Sequence, residues 1–257
     1  MILDNILKYR HIQLNKEKAE KPLATIKAST RIRPHYNFKE ALINNNIAVI
    51  AEIKQASPSL GKITDSFNYI NIAKDYEEGK ANAISILTEE KYFRGNRNIL
   101  EEIGTFSTLP ILRKDFIVDE YQIYDAYIMG ADAILLIASV LSYNKLLSFY
   151  KLAKSLKLDV VLEVHSLDEY KTIASIGAEI IGINNRDLTS FNVDVNTSIE
   201  LARIISKDTI LVSESGISSS SVVKRLSSSG FNAILVGEAL MLSKDKTKLI
   251  KELKNEN

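Results

Sequence analysis

The sequence predicts an α/β fold, a (β/α)8 TIM barrel with an N-terminal helical extension, and three observations carry that expectation. Short runs rich in Val, Ile and Leu recur roughly every 20–35 residues. They are continuous rather than alternating, as parallel strands covered on both faces require. The gaps between them hold helical patterns with no linker and no break in composition.

The first run is IAVIAEI (47–53). It is followed by AISIL (83–87), LPILR (109–113), DAILLI (132–137), DVVLEV (159–164), EIIGI (179–183), TILVS (209–213) and NAILVG (232–237). The gaps carry NYINIAKDYEEGK, YQIYDAYIMG, SYNKLLSFYKLAKSLK, SLDEYKTIASIG, SIELARIIS and SSSVVKRLSSSG. Gly79, Gly130, Gly177 and Gly230 fall where helix C-caps are expected. Eight such units in succession favour a closed barrel. An open doubly wound sheet competes, but no GxGxxG follows any strand. Residues 1–45 are expected to form the extension and 46–257 a single barrel domain. The extension holds LDNILKYRHIQLNKEKA and NFKEALINNN around the turn-like RIRPHY. It can plug the bottom of the barrel or overhang its mouth.

Composition narrows the function. Apolar residues make up 46% and charged residues 25%, an ordinary globular balance. A net charge of +1, with lysines alternating with acids, gives no reason to expect nucleic acid. With no cysteine there is neither a disulfide nor a thiolate metal site, and three scattered histidines (His11, His35, His165) argue against a His-based metal cluster, while residue counts leave a carboxylate site for Mg2+ open. The apolar runs are too short to span a bilayer, and MILDNILKYR lacks the form of a signal peptide. The expectation is a cytoplasmic protein without a membrane partner, a monomer or weak homodimer.

In a barrel, function sits at the C-terminal ends of the strands. Here those ends carry Glu52, Lys54 and Ser57-Pro58-Ser59; Thr88-Glu89; Arg113-Lys114-Asp115-Phe116; Glu163 and His165; Asn184-Asn185-Arg186-Asp187; Ser213-Glu214-Ser215-Gly216; and Gly237-Glu238. Residues two apart on a strand share a face, so Glu52 and Lys54 can both point into the mouth. As an isolated pair they read equally as a structural ion pair. Matching charges at other strand ends favour a site, because each buried charge is costly unless paired. Lys114, hemmed by Ile111, Leu112 and Phe116, suits a general acid or an imine-forming nucleophile. Glu163 suits a base or proton shuttle. His165, just past Glu163, reads more readily as a capping or surface residue. The segments around Ser215, Gly216, Gly237 and Glu238 place small residues after strands seven and eight, where many barrels cradle a phosphate.

The motifs AEIKQASPSLG, ISILTEEKYFRG, LPILRKDFIVDEYQI, GADAILLI, GINNRDL, LVSESGI and VGEALM, in this order, resemble the indole-3-glycerol phosphate synthase family. That resemblance implies a phosphorylated small-molecule substrate, 1-(2-carboxyphenylamino)-1-deoxyribulose 5-phosphate, and ring closure with loss of CO2 and water. It implies no cofactor and no metal. It gives Glu52, Lys54, Lys114, Glu163 and Glu214 the catalytic acid–base roles, Lys114 protonating the departing oxygen. Ser57 and Phe116 match pocket residues, as do Asn184, Arg186 and Leu188, with Asn184 counted in the catalytic set. Ser215 and Gly216 match the segment near the phosphate. Leu60 and Glu90 depart from the family pattern, where Lys and Asp are common. Two rivals are a barrel isomerase or aldolase on another sugar phosphate, and a non-catalytic sensor of a phosphometabolite.

Overall fold

The computed structural model describes residues 2–44, 46–64, 66–187 and 190–255. Among them, eight parallel strands close into a barrel: β1 (Ala48–Ile53), β2 (Ala83–Leu87), β3 (Ile111–Lys114), β4 (Ala133–Ile137), β5 (Asp159–Val164), β6 (Ile180–Asn184), β7 (Ile210–Glu214) and β8 (Ala233–Val236). Each pairs with its sequence neighbours, and β8 returns to β1 with Ala51 beside Val236. The predicted runs are these strands with small shifts. The third starts at Ile111 because Pro110 has no N–H to give; its carbonyl accepts from Ile84.

Each continuous apolar run divides its residues between two cores. Ala48, Ile50, Leu112, Leu135, Val161, Ile180, Val212 and Leu235 fill the barrel interior. Val49, Ala51, Ile84, Leu136, Leu162, Ile181 and Ile234 face the helices outside. Burial on both faces is why no alternation shows in the sequence.

Helices α1 (Ile2–Glu20), α2 (Leu23–Lys27) and α3 (Phe38–Ala41) form the extension. Around the barrel run α4 (Tyr69–Glu78), α5 (Arg97–Gly104), α6 (Glu120–Ile128), α7 (Tyr143–Ser155), α8 (Leu167–Ile173), α9 (Asn196–Ala202), α10 (Ser220–Ser228), α11 (Glu238–Leu242) and α12 (Lys246–Lys254). Helix α5 was not among the helical patterns read from the sequence; Asn96 starts it by accepting from the Asn98 N–H. Gly130, Gly177 and Gly230 adopt the left-handed conformation expected after a helix. Gly79 is the C-cap of α4, as expected, with a right-handed backbone at φ −70°, and Lys80 after it takes the left-handed conformation at φ 58°. Gly79 is also a point of close approach, where a Cβ would lie 2.9 Å from Ile250 Cδ1 of α12.

The extension reaches both ends of the barrel. Ile2, Leu3 and Ile6 of α1 border the cavity at the C-terminal mouth. Leu14 and Ile26 then pack with Val118, Tyr121 and Ile128, along α6. At the opposite end Phe38 and Leu42 are fully buried in the interior core and close the floor. Arg31 Nη2 donates to Asp132 Oδ1 at 2.6 Å, and the Lys39 N–H donates to Asp159 Oδ2 at 2.8 Å. The two possibilities read from the sequence, overhang and plug, are both realised.

Candidate active site

Alternation along the strands aims one row of side chains at the mouth. The inward sequence on β1 runs Ala48, Ile50, Glu52; on β3, Leu112 then Lys114; on β5, Val161 then Glu163; on β7, Ile210, Val212, Glu214. Apolar residues occupy the depth of the barrel and charges its upper layer. The cavity there has a volume of about 480 Å³.

Lys114 Nζ sits between two carboxylates, 2.9 Å from Glu214 Oε2 and 3.3 Å from Glu163 Oε2. Burial opposes its charge, but Glu214 and then Glu163 outweigh that, so its pKa lies above the ordinary lysine range. Lys54 Nζ lies 2.7 Å from Glu52 Oε1. The predicted pair therefore does face the mouth.

The carboxylates differ in kind. Burial pushes Glu214 up to about 7, against the attraction of Lys114 and with the repulsion of Glu163. Its Oε1 has no hydrogen-bond partner among the described residues. Burial acts on Glu163 too, yet Lys114 and then His165 overcome it and hold this carboxyl below the usual range. The two acids face one another, so one takes the charge and the other is inclined to keep a proton.

Gly182 makes this crowding possible, a residue the sequence reading passed over. A Cβ there would lie 2.4 Å from Glu214 Oε1. The signal was a glycine inside the EIIGI strand, which marks a close approach. Gly237 does the same for the other pair: its Cβ would meet Glu52 Oε1 at 2.3 Å and Lys54 Nζ at 3.0 Å.

The remaining predicted residues border the same cavity. Ser57 and Phe116 line it, as do Asn184, Arg186, Ser215, Gly216, Gly237 and Glu238. Ser215 holds a left-handed backbone at φ 67°, uncommon for a residue with a Cβ. Its Oγ donates to Asn184 Oδ1 at 2.9 Å, and its carbonyl accepts from Asn185 Nδ2 at 3.0 Å. Asn184 Oδ1 also accepts from the Arg186 N–H, so this asparagine fixes both neighbours. Arg186 Nη2 lies 3.5 Å from Glu238 Oε2. The carboxylate of Glu238 is thus turned to a cation, and only its backbone N–H suits an anion. Leu188 lies outside the described residues.

Two further features were not foreseen. Glu89 is fully buried and accepts from the N–H groups of Lys91, Tyr92 and Phe93, which sets Phe93 as a wall 6.1 Å from the Phe116 ring centre. His165 is past the end of β5, as expected, but is not a surface residue. Its side chain is 11% exposed, with Nε2 3.3 Å from Glu163 Oε1 and Nδ1 3.2 Å from Glu169 Oε2.

Comparison with known proteins gives a consistent result. The family model described as indole-3-glycerol phosphate synthase matches residues 3–253. The indole-3-glycerol phosphate synthase of Thermoanaerobacter sp. (strain X514) is 46% identical over 241 residues, covering 94% of this chain and 92% of that protein. That of Alkaliphilus metalliredigens (strain QYMF) is 43% identical over 257 residues, covering 99% and 98%. Among solved structures, 3-hexulose-6-phosphate synthase from Salmonella typhimurium superposes with a TM-score of 0.67 at 14% identity, over 81% of this chain and 97% of that one. A mutant tryptophan synthase alpha-subunit from Pyrococcus furiosus gives 0.60 at 17%, over 81% and 98%. These two structures share the fold alone.

Proposed function

The chain belongs to the indole-3-glycerol phosphate synthase family, and from that premise we infer how its mouth divides the work of the reaction. The enzyme closes the pyrrole ring of 1-(2-carboxyphenylamino)-1-deoxyribulose 5-phosphate, a carbon–carbon lyase reaction of tryptophan biosynthesis that releases CO2 and water. The ring carbon bearing the carboxylate attacks the ribulose carbonyl. CO2 leaves, the former carbonyl oxygen departs as water, and a proton leaves the adjacent carbon. Two protons go to the departing oxygen and one returns, so the reaction consumes one.

The observation that carries the reading is Lys114 held between Glu163 and Glu214. An imine-forming lysine needs a depressed pKa, and this one is raised. That favours the general acid over the aldolase reading. As the new bond forms, the carbonyl oxygen becomes an alkoxide basic enough to take a proton from an ammonium. Glu214, inclined to carry a proton up to about pH 7, is placed to recharge Lys114 at 2.9 Å. Glu163, the carboxylate that stays ionised, suits both the positive charge on the attacked ring and the final proton removal. The Glu52–Lys54 pair supplies a second donor and acceptor across the mouth.

Binding follows polarity. Phe116, Phe93, Leu135 and Ile137 offer apolar surface to the aromatic ring. Ser57 lines the same cavity, and Arg186 suits the ring carboxylate. Asn184 holds Arg186 and Ser215 in place, and the phosphate goes to the backbone around Ser215, Gly216, Gly237 and Glu238. Among the described residues no helix is long and apolar enough to cross a membrane. A cytoplasmic location, as a monomer or weak homodimer, belongs to the same proposal.

The test is the growth of indole fluorescence on mixing the purified protein with the carboxyphenylamino-deoxyribulose phosphate in EDTA. Wild type turns over, and Lys114→Ala loses about 10³-fold or more in kcat. An imine trapped on Lys114 by borohydride would overturn the acid role. Ligand binding without any indole product would return the chain to a sensor.

A further inference from the structure

His165 is left unused by this division of labour, although it lies mostly covered beside it. The Glu169 carboxylate from the first turn of α8 accepts the His165 backbone N–H at 2.7 Å and lies 3.2 Å from Nδ1. The ring is thereby fixed by its own helix. Its other nitrogen, Nε2, is buried with no aligned hydrogen-bond partner among the described residues, and Glu163 Oε1 stands 3.3 Å away. The two oxygens of Glu163 are thus divided: Oε2 faces Lys114 and Oε1 faces His165.

The proton count of such an array is constrained. A neutral imidazole that gives its Nδ1 proton to Glu169 would turn a lone pair on Nε2 toward a carboxylate oxygen, which is repulsive. An imidazolium satisfies both carboxylates. Charge in the surroundings agrees. Glu163 and Glu52 face Lys114 and Lys54 across the mouth, and Glu214, inclined to keep its proton up to about pH 7, adds a third carboxyl. The titratable groups around the ring are Glu163 of β5, Glu169 of α8 and, with the smallest effect, Glu214 of β7, with Lys114 of β3 beyond Glu163. Acids prevail.

We propose that His165 is a positioning residue for the ring closure: clamped by Glu169, its imidazolium keeps its proton and turns the Nε2–H toward Glu163 Oε1, and so holds that carboxylate ionised and aimed at Lys114. The proposal rests on the acid–base role given to Glu163. Burial works against the ring's charge, but Glu169, Glu163 and Glu214 raise its pKa above the ordinary value.

Linkage makes the test reciprocal. If the imidazolium favours the Glu163 charge, that charge must favour the imidazolium equally. In an NMR titration of the ring protons, simplified by the presence of only three histidines, His165 should titrate above about 6.5 and fall by about one unit in Glu163→Gln. In His165→Asn, kcat/KM should drop about tenfold near pH 6, the gap to wild type closing toward pH 8, where wild type also loses the imidazole proton. Glu169→Gln should shift the profile the same way by less. Substrate ionisation is common to all variants and cancels in the ratio. An unmoved His165 titration in an inactive Glu163→Gln overturns the inference while leaving Glu163 its role. So does a His165→Asn deficit constant across pH. A fully active Glu163→Gln overturns the role of Glu163, and with it both readings.

Discussion

At the floor of the barrel each acid has its cations, whereas at the mouth the acids crowd one another. Asp132, just before β4, accepts from Arg31 and from the N–H groups of Tyr36 and Ile111, with Arg33 at 3.6 Å. Glu179 pairs with Lys39 and Lys154, and Lys154 also reaches Asp159. At the mouth Glu214 shares Lys114 with Glu163, and one of its oxygens is left without a partner among the described residues. The same chemical groups hold the chain together at one end and hold protons ready at the other. The difference teaches that charge in this molecule stabilises where it is matched, and acts where it is not.

The largest contrast is expected between Lys114→Ala and Asp132→Asn. The first should cost about 10³-fold or more in kcat, with a smaller loss of stability because Glu214 can take up a proton. The second leaves Arg31 and Arg33 with backbone carbonyl partners alone and should cost about 3–5 kcal/mol, with kcat of the folded fraction unchanged. Denaturant unfolding beside steady-state rates separates the two. Equal kcat losses would erase the distinction between the ends.

Glu214→Gln sharpens the comparison. The Glu214 carboxyl titrates near 7 when folded, against about 4.5 unfolded. Its folded state therefore binds more protons between those values. The resulting stability is fully present below the unfolded value and is lost as pH rises through about 7. A neutral glutamine avoids that loss, so the variant should gain about 1–3 kcal/mol at pH 8, and little at pH 4.5, while losing activity. A variant equally stabilised at both pH values would remove proton uptake as the cause. The smallest effect belongs to Lys39→Ala. Lys39 and Glu179 are both more than a third exposed, so the pair should contribute about 0–1 kcal/mol, decreasing with salt.

Much of this arrangement was legible in the sequence because it is local. A continuous apolar run declares a strand buried on both faces, and its last inward residue can be counted to, which placed Glu52, Lys114, Glu163 and Glu214 at the mouth. What could not be read depends on closure. Nothing along the chain says that Lys114 falls between acids 49 and 100 residues away. The glycine in EIIGI was visible, but not that Glu214 occupies the space its missing Cβ leaves. His165 was placed correctly just beyond its strand, yet the turn of its ring inward is fixed by Glu169, a helical residue whose direction the sequence leaves open.

The extension that roofs the mouth and floors the barrel has a consequence for the order in which the protein comes into being. Its segments leave the ribosome before the strands, and their partners are distant: Arg31 meets Asp132 after 101 residues, and Lys39 meets Glu179 after 140. At ordinary synthesis rates that is a delay on the order of ten seconds. Until then Ile26 lacks Val118, Tyr121 and Ile128, and Phe38 and Leu42 lack most of the interior core they close. The extension therefore waits for partners that lie several strands further on, and it caps the barrel only after those strands have been synthesised.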